Sequence, residues 1–149
     1  MRKYCVDANC YTDASRDSEA LTQLIRFSNW CAPGLFLSSV VASELRAGVR
    51  STKERKKLEE EVLGPFVRRG RVVTPTAAAW DALGLTLATL REQEGLRLAQ
   101  VRRSFALDVL LAYSCRDAGV VLVTGNTRDM ERIQRVFAFE FAAPYPDRS

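Results

Sequence analysis

Four acidic residues occupy positions at which a carboxylate could bind a metal or transfer a proton. Asp7 follows a short apolar segment, Glu44 stands near the start of a helical segment, and Asp129 follows a Thr-Gly-Asn turn. Asp108 lies inside the almost wholly apolar segment 105–113. Burying a lone carboxylate there would cost several kcal/mol unless a proton, a cationic partner or a metal neutralised it. Asp108 is therefore the most informative of the four acids.

The chain contains no histidine. This absence excludes Ser-His-Asp catalysis, Cys-His catalysis and zinc sites with histidine ligands, so a hydrolytic mechanism must use carboxylates, Lys, Tyr, Cys or a bound metal. Acids that share one cleft repel each other strongly unless cations are bound between them. Carboxylate oxygens suit Mg2+ or Mn2+, and phosphodiester hydrolysis is the reaction that such a site favours.

Three of the acids also have local structural explanations. Asp7 could cap the next helix, and Glu44 could interact favourably with the helix dipole from the first turn of its helix. Asp108 could form a buried ion pair with Arg102 or Arg116. The sequence alone leaves these alternatives open.

Asp129 could complete a capping box with Asn126, three residues before it. Such a local role would need nothing from the rest of the fold. The functional interpretation of the acids therefore depends on whether the fold brings them together.

Short apolar segments alternate with helical ones along the chain, which predicts an α/β fold with a parallel sheet covered by helices on both faces. In such sheets, sites gather at the carboxyl ends of the strands, and Asp7, Glu44 and Asn126 all fall at that edge. We expect one domain over residues 1–149. The predicted strands are 3–6, 35–37, 72–73 and 120–123, with an edge strand at 137–141.

Helices are predicted from apolar spacing and from cap residues. Thr74 and Pro75 suit the N-cap and first residue of one helix, and Gly119 suits the end of another that starts near Leu96. The other predicted helices are 20–30, 41–47, an exposed one at 51–67, and a short one that contains Asp129.

The net charge of +4 and the isoelectric point near 9.1 favour a polyanionic partner. No apolar stretch reaches the roughly 20 residues of a membrane-spanning helix, and an acid interrupts the start too early for a secretory signal. The four cysteines form no Cys-x-x-Cys pair, so we expect reduced thiols and a cytoplasmic location.

Four segments together resemble the ordered motifs of PIN-domain proteins, specifically VapC-type toxins. They are Val6-Asp7-Ala8-Asn9, Ser43-Glu44-Leu45-Arg46-Ala47-Gly48, Asp108-Val109-Leu110-Leu111-Ala112 and Val123-Thr124-Gly125-Asn126-Thr127-Arg128-Asp129. The resemblance extends over nearly the whole chain. Each motif is short, but four in order on the expected elements make the match fairly specific.

The resemblance implies an α/β/α sandwich and assigns roles to particular residues. The core metal-binding and catalytic acids would be Asp7, Glu44 and Asp108, with Asp129 at a fourth, more variable position. The supporting polar residues of the same cleft would be Asn9, Thr124 and Asn126.

The resemblance further implies a Mg2+- or Mn2+-dependent endoribonuclease that cuts structured RNA such as transfer RNA. A small cognate antitoxin would inhibit it, and the protein would form homodimers. Three positions depart from the commonest pattern: Ala8 where Thr or Ser is frequent, Leu107 where a polar residue is common, and Met130 where an aromatic residue is typical. Ala8 removes a hydroxyl that could position water or metal.

Arginines near the predicted cleft are candidates for contacts with RNA phosphates, since phosphate binding needs cations beside the cleft. Arg102 and Arg103 are the first of these, and the others are Arg68, Arg69, Arg71 and Arg97. Tyr11 could stack on a base or belong to the core.

The main alternative is a PIN-like module that binds RNA or a protein without cutting. Other acid-based phosphotransfer enzymes fit less well. A phosphatase of the haloacid dehalogenase type needs a second Asp where Asn9 stands, and both it and a receiver domain need a lysine, which is absent after Arg71. No glycine-rich loop ending in Lys-Ser or Lys-Thr is present, which excludes Walker-type nucleotide binding.

Overall fold

The computed structural model describes residues 2–147. Its centre is a five-stranded sheet in the order β3-β2-β1-β4-β5, in which neighbouring strands are parallel. The strands are β1 (Tyr4–Val6), β2 (Leu35–Ser38), β3 (Val72–Val73), β4 (Val121–Val123) and β5 (Phe141–Ala142). Because β1 lies between β2 and β4, the residues that follow these three strands meet at one edge of the sheet.

Eight α-helices surround this sheet among the described residues. They are α1 (Ala8–Arg16), α2 (Ser18–Cys31), α3 (Ser39–Gly48), α4 (Thr52–Lys57), α5 (Gly64–Arg68), α6 (Ala77–Glu94), α7 (Arg103–Ala118) and α8 (Thr127–Gln134). A π-helical turn, Leu58–Leu63, joins α4 to α5, and a 3-10 turn, Leu98–Gln100, precedes α7. None of the helices within residues 2–147 is both long and apolar enough to cross a bilayer.

The side chains of the central strand alternate between two cores, as a strand covered on both faces requires. Tyr4 and Val6 pack with residues of α1 and α2. Cys5 packs on the opposite face with residues of α3, α6 and α7, including the fully buried Leu111. The predicted α/β/α sandwich around a parallel sheet is confirmed. All four cysteines are buried free thiols.

Helix α6 begins two residues later than the sequence suggested. Thr76, and not Thr74, is the N-cap: its hydroxyl oxygen accepts a hydrogen bond from the Ala79 amide at 3.2 Å. The same hydroxyl donates to Asp117 on α7 at 2.8 Å, which fixes the start of α6 against its neighbour. Gly95 ends α6 in the left-handed conformation (φ 69°).

The prediction of one helix from Leu96 to Ala118 was wrong in its first third. Helix α7 begins only at Arg103, because the basic residues before it bury no apolar stripe that would hold them in a helix. Gly119, with φ 67°, ends α7 as predicted.

The predicted strand at 137–141 was also wrong. Only Phe141 and Ala142 pair with β4. The alternating aromatic residues before them instead form a ladder of rings, with centroids 5.5 Å apart for Phe137–Phe139 and 5.7 Å for Phe139–Phe141. Aromatic rings that contact each other along an irregular segment therefore recur at every second residue, as the side chains on one face of a strand do.

Helix α1 was not among the predicted helices, because its sequence is mostly polar. Only its caps and three buried residues distinguish it.

Candidate active site

Asp7 links the end of the central strand to the first helix. Its amide donates to Val123 O at 2.8 Å, which fixes it beside β4. Asp7 is the N-cap of α1, since Oδ1 accepts from the Ala8 amide at 2.7 Å, while Oδ2 accepts from the Thr124 hydroxyl at 2.7 Å and from Asn9 Nδ2 at 3.3 Å. The predicted cap and the predicted site residue are thus the same carboxylate. Burial raises its pKa, and the bonds from Thr124 and Ala8 oppose that shift.

Thr124 is the centre of the polar network and is fully buried. Its hydroxyl donates to Asp7 and accepts from Asn9 Nδ2 at 3.2 Å and from the Asn126 amide at 3.0 Å. Asn9 in turn accepts from the Gly125 amide at 3.2 Å. These bonds hold the loop after β4 against the start of α1, and they place Asn9 and Thr124 in direct contact with Asp7.

Asp108 projects from α7 into this network and is only 7% exposed. Its Oδ2 accepts from Asn126 Nδ2 at 2.7 Å. Burial, followed by the negative charges of Asp7, Glu44 and Asp129, raises the pKa of Asp108 to about 8, although the Asn126 bond opposes the shift. The fold therefore brings the four predicted acids into one electrostatically coupled group.

The ion pair considered for Asp108 does not form among residues 2–147. Arg116 instead lies over the Tyr113 ring, 5.1 Å from its centroid. Arg102 precedes α7 and is exposed. No cationic side chain therefore neutralises Asp108 in the described part of the chain.

Asn126 joins the third acid to the fourth. The same Nδ2 that binds Asp108 donates to Asp129 Oδ2 at 3.2 Å. The Asn126 side chain makes no capping bond to α8, so the capping-box explanation of Asp129 was wrong. Because its amide can donate to both acids, Asn126 holds the two carboxylates side by side.

Glu44 lies in the second turn of α3, and not in the first as expected, because the helix already begins at Ser39 behind a Ser38 cap. Its Oε1 is buried and has no hydrogen-bond partner among the described residues. Burial and the charge of Asp7 raise the pKa of Glu44, and the nearby Arg103 lowers it. An unpartnered buried carboxylate oxygen beside other acids is unfavourable unless a cation binds there.

These carboxylates fit a hydrated divalent ion better than a closed metal cage. Within residues 2–147, no three Asp, Glu or Cys side chains converge closely enough to form a ready-made metal site. Mg2+ usually keeps several waters and takes only one or two carboxylates, with substrate phosphates as further ligands. Asp7, Glu44, Asp108 and Asp129 are the residues that could hold such an ion.

Five of the six candidate RNA-binding arginines divide into two groups, while Arg97 is exposed at the start of the 3-10 turn. Arg103 begins α7 near Glu44, with Arg102 just before it. The turn containing Arg68, Arg69 and Arg71 precedes β3 and so lies toward the amino ends of the strands. The structure therefore does not bring these three arginines to the acids.

Tyr11, on α1, packs against both apolar cores. Burial also raises the pKa of its hydroxyl far above the usual value. Of the two explanations considered for Tyr11, the core position is correct.

We expect Thr124→Val to destabilise the protein by about 1–3 kcal/mol, because it removes the hydroxyl bond to buried Asp7 and leaves the Asn126 amide without its acceptor, while preserving side-chain volume. Urea denaturation of both proteins measures the difference. Thr124→Ser keeps the hydroxyl and is the matched control. Equal stability of the valine and wild-type proteins would contradict the central role of this hydroxyl.

Neither family models nor curated proteins match this chain. Solved structures do match it over almost their whole length. DNA-bound VapBC from Salmonella typhimurium aligns with TM-score 0.69 and 22% identity over 97% of this chain and 100% of the other. VapBC2 from Rickettsia felis bound to a promoter DNA fragment aligns with TM-score 0.62 and 22% identity over 94% and 97%. FitAB bound to an IR36 DNA fragment aligns with TM-score 0.70 and 14% identity over 97% of both chains.

At these identities the likeness establishes the fold. The class that the motifs indicated, an α/β/α domain of the PIN type, is therefore confirmed as the fold of this chain. Chains of the VapBC and FitAB structures are among those that share this fold.

Proposed function

We propose that this protein is a metal-dependent endoribonuclease of the VapC toxin type. The observation that carries the proposal is the grouping of four acids around the buried Asp7 and Asp108. Asn126 bonds both Asp108 and Asp129, and the charges of the other three acids raise the pKa of Asp108. A fold gains nothing in stability from such repulsion, and perturbed acids of this kind are concentrated at functional sites. The motif resemblance and the PIN-type fold support the same function.

In this proposal, Asp7, Glu44, Asp108 and Asp129 hold Mg2+ or Mn2+. When bound, the ion would stabilise charge on the scissile phosphate and make a water molecule more acidic. Asn126 keeps Asp108 and Asp129 adjacent through its two hydrogen bonds. Glu44 Oε1, which has no hydrogen-bond partner within residues 2–147, remains available to an ion or to its water.

We propose RNA as the substrate, with structured RNA such as transfer RNA as its form, and the cytoplasm as the location. Arg103 and Arg102 would contact phosphates beside the acids, since Arg103 already lies near Glu44. The net charge of +4 favours the approach of a polyanion. Arg68, Arg69 and Arg71 are not included, because they lie toward the other edge of the sheet.

We also propose two protein partners. A cognate antitoxin follows from the resemblance to VapC-type toxins, and three structural neighbours are VapBC or FitAB bound to DNA. The homodimer also follows from that resemblance. Leu85 on α6 is an apolar side chain that could contribute to its interface, since it is 68% exposed. Light scattering should give twice the monomer mass, and the monomer mass for Leu85→Arg. A wild-type monomer would refute the homodimer.

The experiment that tests the activity uses purified protein free of any copurified partner. We expect discrete cuts in transfer RNA or total RNA with Mg2+ or Mn2+, and none with EDTA. Sequencing of the products locates the cuts and identifies the target. Cuts that persist in EDTA would contradict a metal-dependent mechanism.

One observation favours a second candidate, a PIN-like module that binds without cutting. Within residues 2–147, the acids do not form a ready-made metal site. If folded, metal-supplemented protein binds RNA or a protein partner but cuts no RNA, this second function replaces the first.

A further inference from the structure

A cavity of about 370 Å³ opens between α2 and the segment that follows β5. Trp30 and Tyr145 line it with their aromatic rings, and Gln23, Arg26 and Asp147 line it with polar groups. Its volume lies in the lower part of the range for small-molecule sites. None of the acids described above borders this cavity.

The buried ring of Phe27 packs against both of these aromatic rings. Phe27, which is only 4% exposed, lies with its centroid 5.6 Å from Trp30 and 5.1 Å from Tyr145. Trp30 also contacts the Tyr4 ring of the central strand at 5.8 Å. Trp30 and Tyr145 remain partly exposed where they border the cavity. The cavity therefore has a preformed aromatic wall, which a flat ligand can contact with little loss of side-chain entropy.

The polar groups around this wall are chemically mixed. The Gln23 amide can donate and accept, the Arg26 guanidinium only donates, and the Asp147 carboxylate accepts. Gln23 and Arg26 are exposed, and neither enters a side-chain hydrogen bond or ion pair within residues 2–147. A nucleobase has apolar faces and a rim of donors and acceptors, which matches this set. A bare phosphate matches less well, because Asp147 would repel it.

The cavity is connected to the acids through Tyr145. The segment that contains Tyr145 follows β5, whose Ala142 carbonyl accepts from the Thr124 amide at 3.0 Å. Tyr145 lies beside the Cys10 thiol, and Cys10 Sγ is 3.2 Å from Asn9 Oδ1. Asn9 donates to Asp7 Oδ2. A short chain of contacts thus connects the aromatic wall to the first acid of the site.

We propose that this cavity is a base-binding subsite, which stacks an unpaired base of the RNA on Trp30 and Tyr145. The inference rests on the proposed ribonuclease function for the identity of its ligand. Stacking on aromatic rings tolerates any base. Discrimination among bases would come from hydrogen bonds between the edge of the base and the side chains of Gln23, Arg26 and Asp147.

Fluorescence titration tests the subsite without any cleavage. Trp80→Phe leaves Trp30 as the sole tryptophan of a chain that has two, and Asp108→Asn in the same protein removes an essential acid of the proposed nuclease. A short single-stranded RNA, added in EDTA, should quench Trp30 fluorescence to saturation. An oligonucleotide of the same length without bases has the same phosphates and should not quench it.

Substitutions then assign the binding to the cavity. Tyr145→Leu should weaken RNA binding by roughly 5- to 100-fold, because it removes a stacking surface. Arg26→Ala should weaken it as well, whereas Arg16→Ala, which removes the same charge from exposed α1, should not. Because Arg26 and Arg16 are both exposed, neither change threatens the fold.

Three results would overturn the subsite: no quenching, equal quenching by the oligonucleotide without bases, or equal weakening by Arg16→Ala and Arg26→Ala. Cleavage by the wild-type protein with any of these results leaves the nuclease proposal intact and removes the subsite alone. Saturable quenching without wild-type cleavage supports the subsite and refutes the nuclease.

Discussion

Asp108→Asn should abolish metal-dependent cleavage and at the same time make the protein more stable. The activity should fall by roughly 100-fold or more, since the neutral amide removes a charge that the reaction requires. The stability should rise because burial and three neighbouring acids disfavour the wild-type carboxylate, whose pKa is about 8. We expect a gain of about 2 kcal/mol above pH 8, less than the full pKa shift would give at about 1.4 kcal/mol per unit.

The side-chain amide introduced by Asp108→Asn can keep the hydrogen bond with Asn126. Its carbonyl oxygen can accept the bond from Asn126 that Asp108 Oδ2 accepts now. Asp81→Asn, on the exposed surface of α6, is the matched control and should change neither property. Cleavage rates and urea denaturation of the three proteins provide the measurements. A loss of activity together with a loss of stability would mean that Asp108 has a structural role instead.

Without metal, the melting temperature should fall as the pH is raised from about 5 to about 9. The native state holds a proton on Asp108 up to its pKa of about 8, whereas the unfolded chain releases that proton near the ordinary value of 3.8. Between these pH values the native state binds more protons, so the free energy of unfolding decreases as the pH rises. The raised pKa values of Asp7 and Glu44 act in the same direction.

Mn2+ or Mg2+ should reverse this loss of stability. The ion competes with protons for the carboxylates, so the stabilisation should be greater at high pH. An ion at 100 times its Kd would contribute about 2.7 kcal/mol. Differential scanning fluorimetry across pH, with EDTA or with the ion, measures both effects. The proposed ion site would be refuted by a melting temperature that the ion leaves unchanged at every pH.

Asp108→Asn is again the informative comparison for these curves. It removes the group with a pKa of about 8, so its melting temperature in EDTA should depend less on pH. A curve with the wild-type slope would assign the pH dependence to other groups.

The convergence of the acids could be predicted from the sequence because topology imposes it. Residues directly after parallel strands share one edge of the sheet, which places Asp7 and Thr124 together once β1 and β4 are recognised. Asp108 was identifiable because a carboxylate in an apolar helix requires compensation. These inferences needed only the order of elements and the cost of burying charge.

What could not be predicted depends on particular side-chain contacts. Asn126 was predicted in the cleft, with a capping bond as the alternative, but its bonds to Asp108 and Asp129 depend on the relative positions of α7 and α8. The segment from Phe137 to Phe141 was predicted as a strand because its aromatic residues occur at every second position. Contacts between neighbouring rings explain this spacing as well as strand pairing does. The cavity beside Trp30 lies between α2 and a segment more than 100 residues later in the chain, so no local sequence pattern predicts it.

The placement of β1 between β2 and β4 has a consequence for the order in which the protein is made. Asp7 is synthesised 117 residues before its partner Thr124, and also before Asn126, which binds Asp108. A growing chain therefore carries these acids without their shared hydrogen bonds until Thr124 and Asn126 have been made. The cleft can assemble only after that point of synthesis.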